Sequence, residues 1–164
     1  MRAIAVSLIV AVFALAGCAS EQTETSPTAG VVAPATTGPA AGSVEEFVQV
    51  VGDRVFFGFD RYDLSPEARA TLEAQAAWLQ QYPNVTVQVE GHADERGTRA
   101  YNLALGDRRA TAARNYLVAL GISDSRISTI SYGKERPAVL GSNEAAWAQN
   151  RRAVTVILSG APTS

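Results

Sequence analysis

The chain has one cysteine, Cys18, one histidine, His92, and one lysine, Lys134. A lone cysteine excludes an internal disulfide. One histidine and one cysteine cannot supply the several Cys or His ligands that zinc takes. The acidic residues are not spaced as a calcium-binding loop either, so neither a metal nor a cofactor is expected. Cationic and anionic side chains nearly cancel, 14 against 16, for a net charge of −2. With no basic stripe, a nucleic-acid partner is not expected. No apolar run is long enough to span a bilayer as a helix. The strained glycine–serine elbow that presents a hydrolase nucleophile is missing as well, so no catalytic residue is assigned.

What is present begins with an apolar run. Met1-Arg2 is a short positive start, and Ala3–Leu15 is apolar apart from Ser7. That length suits the core of a secretory signal. It leads into Leu15-Ala16-Gly17-Cys18, which resembles a bacterial lipobox. The resemblance implies a signal peptide over 1–17, cleavage before Cys18, and a covalent lipid on Cys18. Two or more acyl chains hold a protein durably at a membrane. Ala19, where an Asp would mark retention, resembles the signal for export to the outer membrane. The expected localisation is therefore the outer membrane, lipid-anchored, with the domain facing the periplasm.

Residues 18–42 form a second regime, rich in Ser, Thr, Pro, Ala and Gly and without an aromatic. Such a composition buries too little apolar area to offset its ordering entropy, and predicts a disordered linker. Treated as a flexible coil it spans roughly 25–30 Å, and stretched about 80 Å.

Residues 43–164 carry the punctuation of a domain. Arg54–Phe59 predicts a strand. Ser65-Pro66-Glu67 starts a helix with a serine cap and proline in the first turn, and Leu72, Ala76 and Leu79 share its apolar face as far as Gln81. Val85–Glu90 alternates as a strand. Thr98–Leu120 predicts a long helix, with Tyr101, Leu105, Ala112, Tyr116 and Leu120 on its inner face and Gly121 closing it. Ile127–Tyr132 and Ala153–Leu158 predict strands, with a short helix at Glu144–Gln149 between them. The order β-α-β-α-β-α-β predicts an α+β fold, a mixed sheet with helices packed on one face. Trp78 and Trp147 are expected to be packing residues.

The chemistry concentrates in Glu90–Thr98, EGHADERGT, at the end of the second strand. His92 is read as a hydrogen-bonded residue that orders this loop. Asp94 can accept from an ammonium group, and Arg109, on the long helix, can clamp a carboxylate through paired N–H donors. A ligand with an ammonium and a carboxylate on one carbon would suit the two. On the residues alone, the simpler alternative is that Asp94 caps the helix while Arg109 pairs with it or with Asp107.

Three segments carry a resemblance. Asp94 is followed by Leu105 and then Arg109-Ala110, and GHADERGT, SYGKERPAVLG and EAAWAQNRRAV stand around them. Over roughly Arg54–Leu158 the chain resembles an OmpA-like peptidoglycan-binding domain, in its lipoprotein branch. The resemblance implies that Asp94 holds the diaminopimelate of the peptide stem and Arg109 its carboxylate. It implies that Phe59 and Asp60 close over the ligand, with help from Tyr62, and that Asn102 and Leu105 line the pocket. It further implies TolB and other Tol proteins as partners, beside peptidoglycan and, through the acyl anchor, outer-membrane lipid. Asn150-Arg151-Arg152 matches a recurrent terminal motif whose role, support or contact, stays open. Gly106 stands where the family has Ser, which would allow a close backbone approach. Arg109→Glu is expected to abolish wall binding and leave the fold intact.

Overall fold

In the computed structural model, residues 38–162 are described. The signal segment, Cys18 and most of the linker fall outside them. Gly42, assigned above to the end of the linker, is already buried, and its N–H donates to Glu46 Oε2 at 2.7 Å.

The sequence reading missed the first element. α1, Val44–Glu46, is capped by Ser43 and runs on as a π-helical turn, Phe47–Gly52. Its anchor is aromatic. Phe47 is buried against Trp78 with ring centroids 4.9 Å apart, and Trp78 donates its indole N–H to Glu46 Oε2 at 2.8 Å. The segment is too short to show a period of its own, and its stability comes from that packing.

Four strands follow, β1 Arg54–Phe56, β2 Thr86–His92, β3 Ile127–Gly133 and β4 Arg152–Ser159. They lie in the order β1-β4-β2-β3. β2 and β3 are parallel, while β4 runs antiparallel to both β1 and β2, giving the mixed sheet expected. β1 is half the predicted length, because the chain leaves the sheet after Phe56 to form the segment that carries Phe59 and Asp60.

Three further helices complete the fold, α2 Pro66–Gln81, α3 Arg99–Ala119 and α4 Glu144–Asn150. Each opens on a side chain that accepts a backbone N–H: Ser65 from Ala68, Thr98 from Tyr101, Asn143 from Ala146. α3 packs across β2 and β3, and α2 packs beside it and against β1. Leu72, Leu79 and Leu117 are fully buried between these layers, each contributing about 2 kcal/mol by removal from water.

The inner face of α3 differs from the expected one. Its buried residues are Asn102, Leu105, Gly106, Arg109, Ala110, Ala113 and Leu117, while Tyr101 is exposed and Ala112, Tyr116 and Leu120 lie at the margin. Apolar periodicity points about one residue away, because this helix buries an asparagine and an arginine that such counting treats as surface.

Gly106 makes the close approach expected of it. A Cβ on Gly91 would overlap the Gly106 carbonyl oxygen, and one on Gly106 would overlap Ser131 Oγ. Two glycines thus let α3 lie flush on the end of β2. That contact sets the distance between the β2–α3 loop and the helix face beside it.

Candidate functional site

The loop after β2 turns sharply. Pairing with β3 shifts register between Gly91 and His92, and Ala93 N–H donates to Gly133 O at 2.8 Å. Asp94 follows, its side chain almost wholly buried. It does not cap α3, since Thr98 does. Nor does it pair with Arg109. Its Oδ2 meets Arg96 Nη2 at 2.6 Å and Arg151 Nη1 at 3.4 Å, and its Oδ1 accepts from the Arg96 backbone N–H at 3.1 Å. Burial pushes the carboxyl toward protonation, but the Arg96 and Arg151 donors outweigh it and hold the pKa below the ordinary value. Asp94 is an anion at neutral pH.

Arg109 is fully buried. Its Nε donates to Arg61 O at 2.8 Å, Nη1 to His92 O at 2.8 Å and Nη2 to Gly58 O at 3.1 Å. Burial lowers its pKa to about 10, still charged at neutral pH. A guanidinium has five N–H donors, so two take no part in these three bonds. The three tie the β1–α2 segment and the end of β2 to the helix. Arg109 is therefore a structural rivet as well as a candidate ligand group, and the expectation that Arg109→Glu would leave the fold intact is corrected. A carboxylate there would face three backbone carbonyls in a buried setting.

Asp94 and Arg109 line one pocket of about 170 Å³, together with Phe59, Asp60, Arg96, Gly97, Tyr101, Asn102 and Leu105. All six binding residues named from the sequence converge there. Phe59 is exposed at the rim. Asp60 has φ of +55°, a strained conformation for a residue with a side chain, and its carboxylate accepts from the Tyr101 hydroxyl. Asn102 is buried, and its Nδ2 donates to Arg96 O at 2.8 Å. That bond fixes the loop to the first turn of α3. Tyr62 does not line this pocket but lies in the groove alongside.

Sequence reasoning missed Arg96 as a pocket wall. Its guanidinium lies between the rings of Phe59 and Trp147, 4.1 and 4.0 Å from their centroids, while bridging Asp94. Trp147 is half-exposed and packs on Arg96 from outside the pocket, with its indole N–H on Glu95 Oε1 at 3.0 Å. The signal for this was faint, an arginine two residues after an acid in a turn. Lys134 donates to Glu95 O and Gly97 O at 3.1 and 2.8 Å and staples the loop from outside.

The terminal motif supports the pocket. Asn150 accepts the N–H groups of Ala138 and Val139 and donates to Val139 O, Arg151 backs Asp94, and Arg152 reaches the carbonyls of Asn150 and Arg136. His92 is another correction. It is buried, yet neither ring nitrogen has a hydrogen-bond partner among the described residues. The carboxylate of Glu90 stands 3.6 Å away. The backbone carbonyl of His92, not its ring, does the ordering, through Arg109.

The fold and the pocket define a binding module, in which charged and aromatic side chains from two loops and one helix converge on a cleft sized for a small charged group. The sequence profile of the OmpA family matches residues 56–151, and the chain belongs to that family. It is 50% identical over 159 residues to the peptidoglycan-associated lipoprotein of Mesorhizobium japonicum, covering 93% of this chain and 90% of the relative. To the protein of that name from Haemophilus influenzae it is 47% identical over 150 residues, covering 90% and 94%. The crystal structure of the peptidoglycan-associated lipoprotein from Burkholderia pseudomallei superposes with a TM-score of 0.63 at 44% identity, over 65% of this chain and 90% of that one. The C-terminal domain of Helicobacter pylori MotB matches at 0.61 but only 20% identity, over 65% and 84%, which speaks for the fold alone. The relatives carry the name of a wall-associated lipoprotein and not of an enzyme, and this chain is read as a binding protein. Among the described residues no helix is long and apolar enough to cross a membrane.

Proposed function

We propose that this domain binds, without a covalent bond, the diaminopimelate-containing stem peptide of peptidoglycan. In this reading the ammonium of the ligand meets Asp94 and Asp60. Its carboxylate meets the free donors of Arg109, with Phe59, Asn102 and Leu105 enclosing the carbon chain. The observation that carries the proposal is that a buried acid from a loop and a buried guanidinium from α3 line one pocket. The pocket is smaller than the several hundred Å³ usual for a whole drug-sized ligand, which suits the end group of a side chain.

The wider function follows from the two ends of the chain. Lipid on Cys18 would hold one end in the outer membrane and the pocket would hold the wall, with the linker raising the local concentration of one near the other. We place the protein as a reversible tether between outer membrane and wall, acting with TolB and other Tol proteins in envelope integrity and cell division.

Calorimetric titration with a diaminopimelate stem peptide tests the pocket. Asp94→Asn keeps the shape and removes the charge, and is expected to weaken binding by about tenfold or more. A stem with lysine in place of diaminopimelate is expected to lose about tenfold, the value of one charge-assisted bond. The loss is no larger because backbone carbonyls already satisfy part of Arg109. Equal affinity of the Asp94→Asn variant and wild type would reject the assignment.

A further inference from the structure

Beside the pocket, α3 carries a second cation that the binding reading does not use. Arg108 is exposed, and among the described residues its guanidinium makes no salt bridge and no hydrogen bond within the chain. It is not free to wander, however. It lies 5.6 Å from the ring centroid of Tyr62 and 6.0 Å from that of Tyr101. Both rings are largely open to solvent, at 49% and 44% exposure. Aromatic faces attract a guanidinium and narrow its orientations while leaving its N–H edge available.

The setting adjoins the pocket through Tyr101. Tyr101 is a wall of the pocket, and its hydroxyl is fixed by Asp60, another wall. On the other side of Tyr101, Tyr62 and Arg108 line a groove of about 300 Å³ that runs along α3 past Thr111 and Asn115. A polymer whose end group fills the pocket therefore emerges beside an oriented, unpartnered guanidinium. Asp107, which also lines the groove, offers an acceptor for a peptide N–H.

We propose that this groove is a second subsite of the same binding surface. Arg108, flanked by Tyr62 and Tyr101, receives the free carboxylate of the acidic residue adjoining the diamino acid in the stem. The inference rests on the reading of the pocket given above. It makes Arg108 a specificity-determining residue. The domain then distinguishes a stem whose neighbouring carboxylate is free from one in which it is amidated, a change far from the groups that Asp94 and Arg109 recognise.

The test is calorimetric titration of the purified protein and its Arg108→Gln variant with three ligands. These are a diaminopimelate stem with the neighbouring carboxylate free, the same stem amidated there, and free diaminopimelate. Glutamine has nearly the helix propensity of arginine, so the exposed exchange should not disturb the fold. Wild type is expected to prefer the free carboxylate by about fivefold, the upper end for an exposed charge pair. Arg108→Gln should erase that preference and leave the affinities for the amidated stem and for diaminopimelate unchanged. Equal affinity of wild type for the two stems would overturn the subsite while leaving the pocket standing. So would an Arg108→Gln loss of the same size for both. If wild type binds neither stem nor diaminopimelate, the pocket reading fails, and the subsite with it.

Discussion

Protonation of His92 should weaken the domain in a defined pH window. The ring is buried, with no hydrogen-bond partner among the described residues. Burial pushes its pKa down first, the charges of Arg152 and Arg136 push the same way, and the Arg136 backbone offsets only part of this, so the value falls from an ordinary 6.5 to about 4. Glu90, 3.6 Å away, does not reverse this. The folded state therefore refuses a proton that the unfolded chain accepts. The associated stability is fully present above the unfolded pKa of about 6.5, and is lost progressively as pH falls toward about 4. At roughly 1.4 kcal/mol per pH unit the whole window amounts to about 3 kcal/mol, a large fraction of a small domain's stability. The assay is urea unfolding across that window for wild type and His92→Leu. The exchange forfeits no intramolecular hydrogen bond, so the difference between the two curves isolates the ring from the titration of carboxylates. Wild type should lose about 3 kcal/mol relative to the variant. Because the chain has a single histidine, its imidazole resonances give the folded-state midpoint directly. A midpoint near 6.5, or parallel stability curves, would refute the reasoning. The consequence reaches the site, since the His92 carbonyl holds Arg109.

Two further outcomes follow from the packing. Arg109→Met should cost roughly 3–5 kcal/mol in urea unfolding, because it strands the carbonyls of Gly58, Arg61 and His92; a loss under about 1 kcal/mol would show that those bonds are replaceable by water. Gly106→Ala should destabilise by about 1–3 kcal/mol, since its Cβ would overlap Ser131 Oγ and press on Gly91 O; unchanged stability would mean that α3 can lift from β2 without penalty.

The sequence alone determined the elements whose signals are local. Ser65, Thr98 and Asn143 each satisfy an orphan N–H within one turn, and the alternation of β2 follows from a sheet with one covered face, so those boundaries are readable from neighbouring residues. The residues alone allowed Asp94 and Arg109 to share a ligand but made a cap and an ion pair look simpler, and a resemblance favoured the shared site. Tertiary structure decided what depends on distant partners. The buried face of α3 is set by Asn102 and Arg109, whose polar groups can enter the interior only because an asparagine bond and three carbonyls from other segments await them. Arg96 becomes a pocket wall through Phe59 and Trp147, which lie far from it along the chain. His92 lost its expected hydrogen bonds because the β2 strand end turns its ring into a buried space where the nearest side-chain acceptor, Glu90, stands just out of reach at 3.6 Å. Local sequence encodes the short-range cost of starting and stopping a helix or strand; the solvation of a buried charge is settled by whichever groups the fold brings to it.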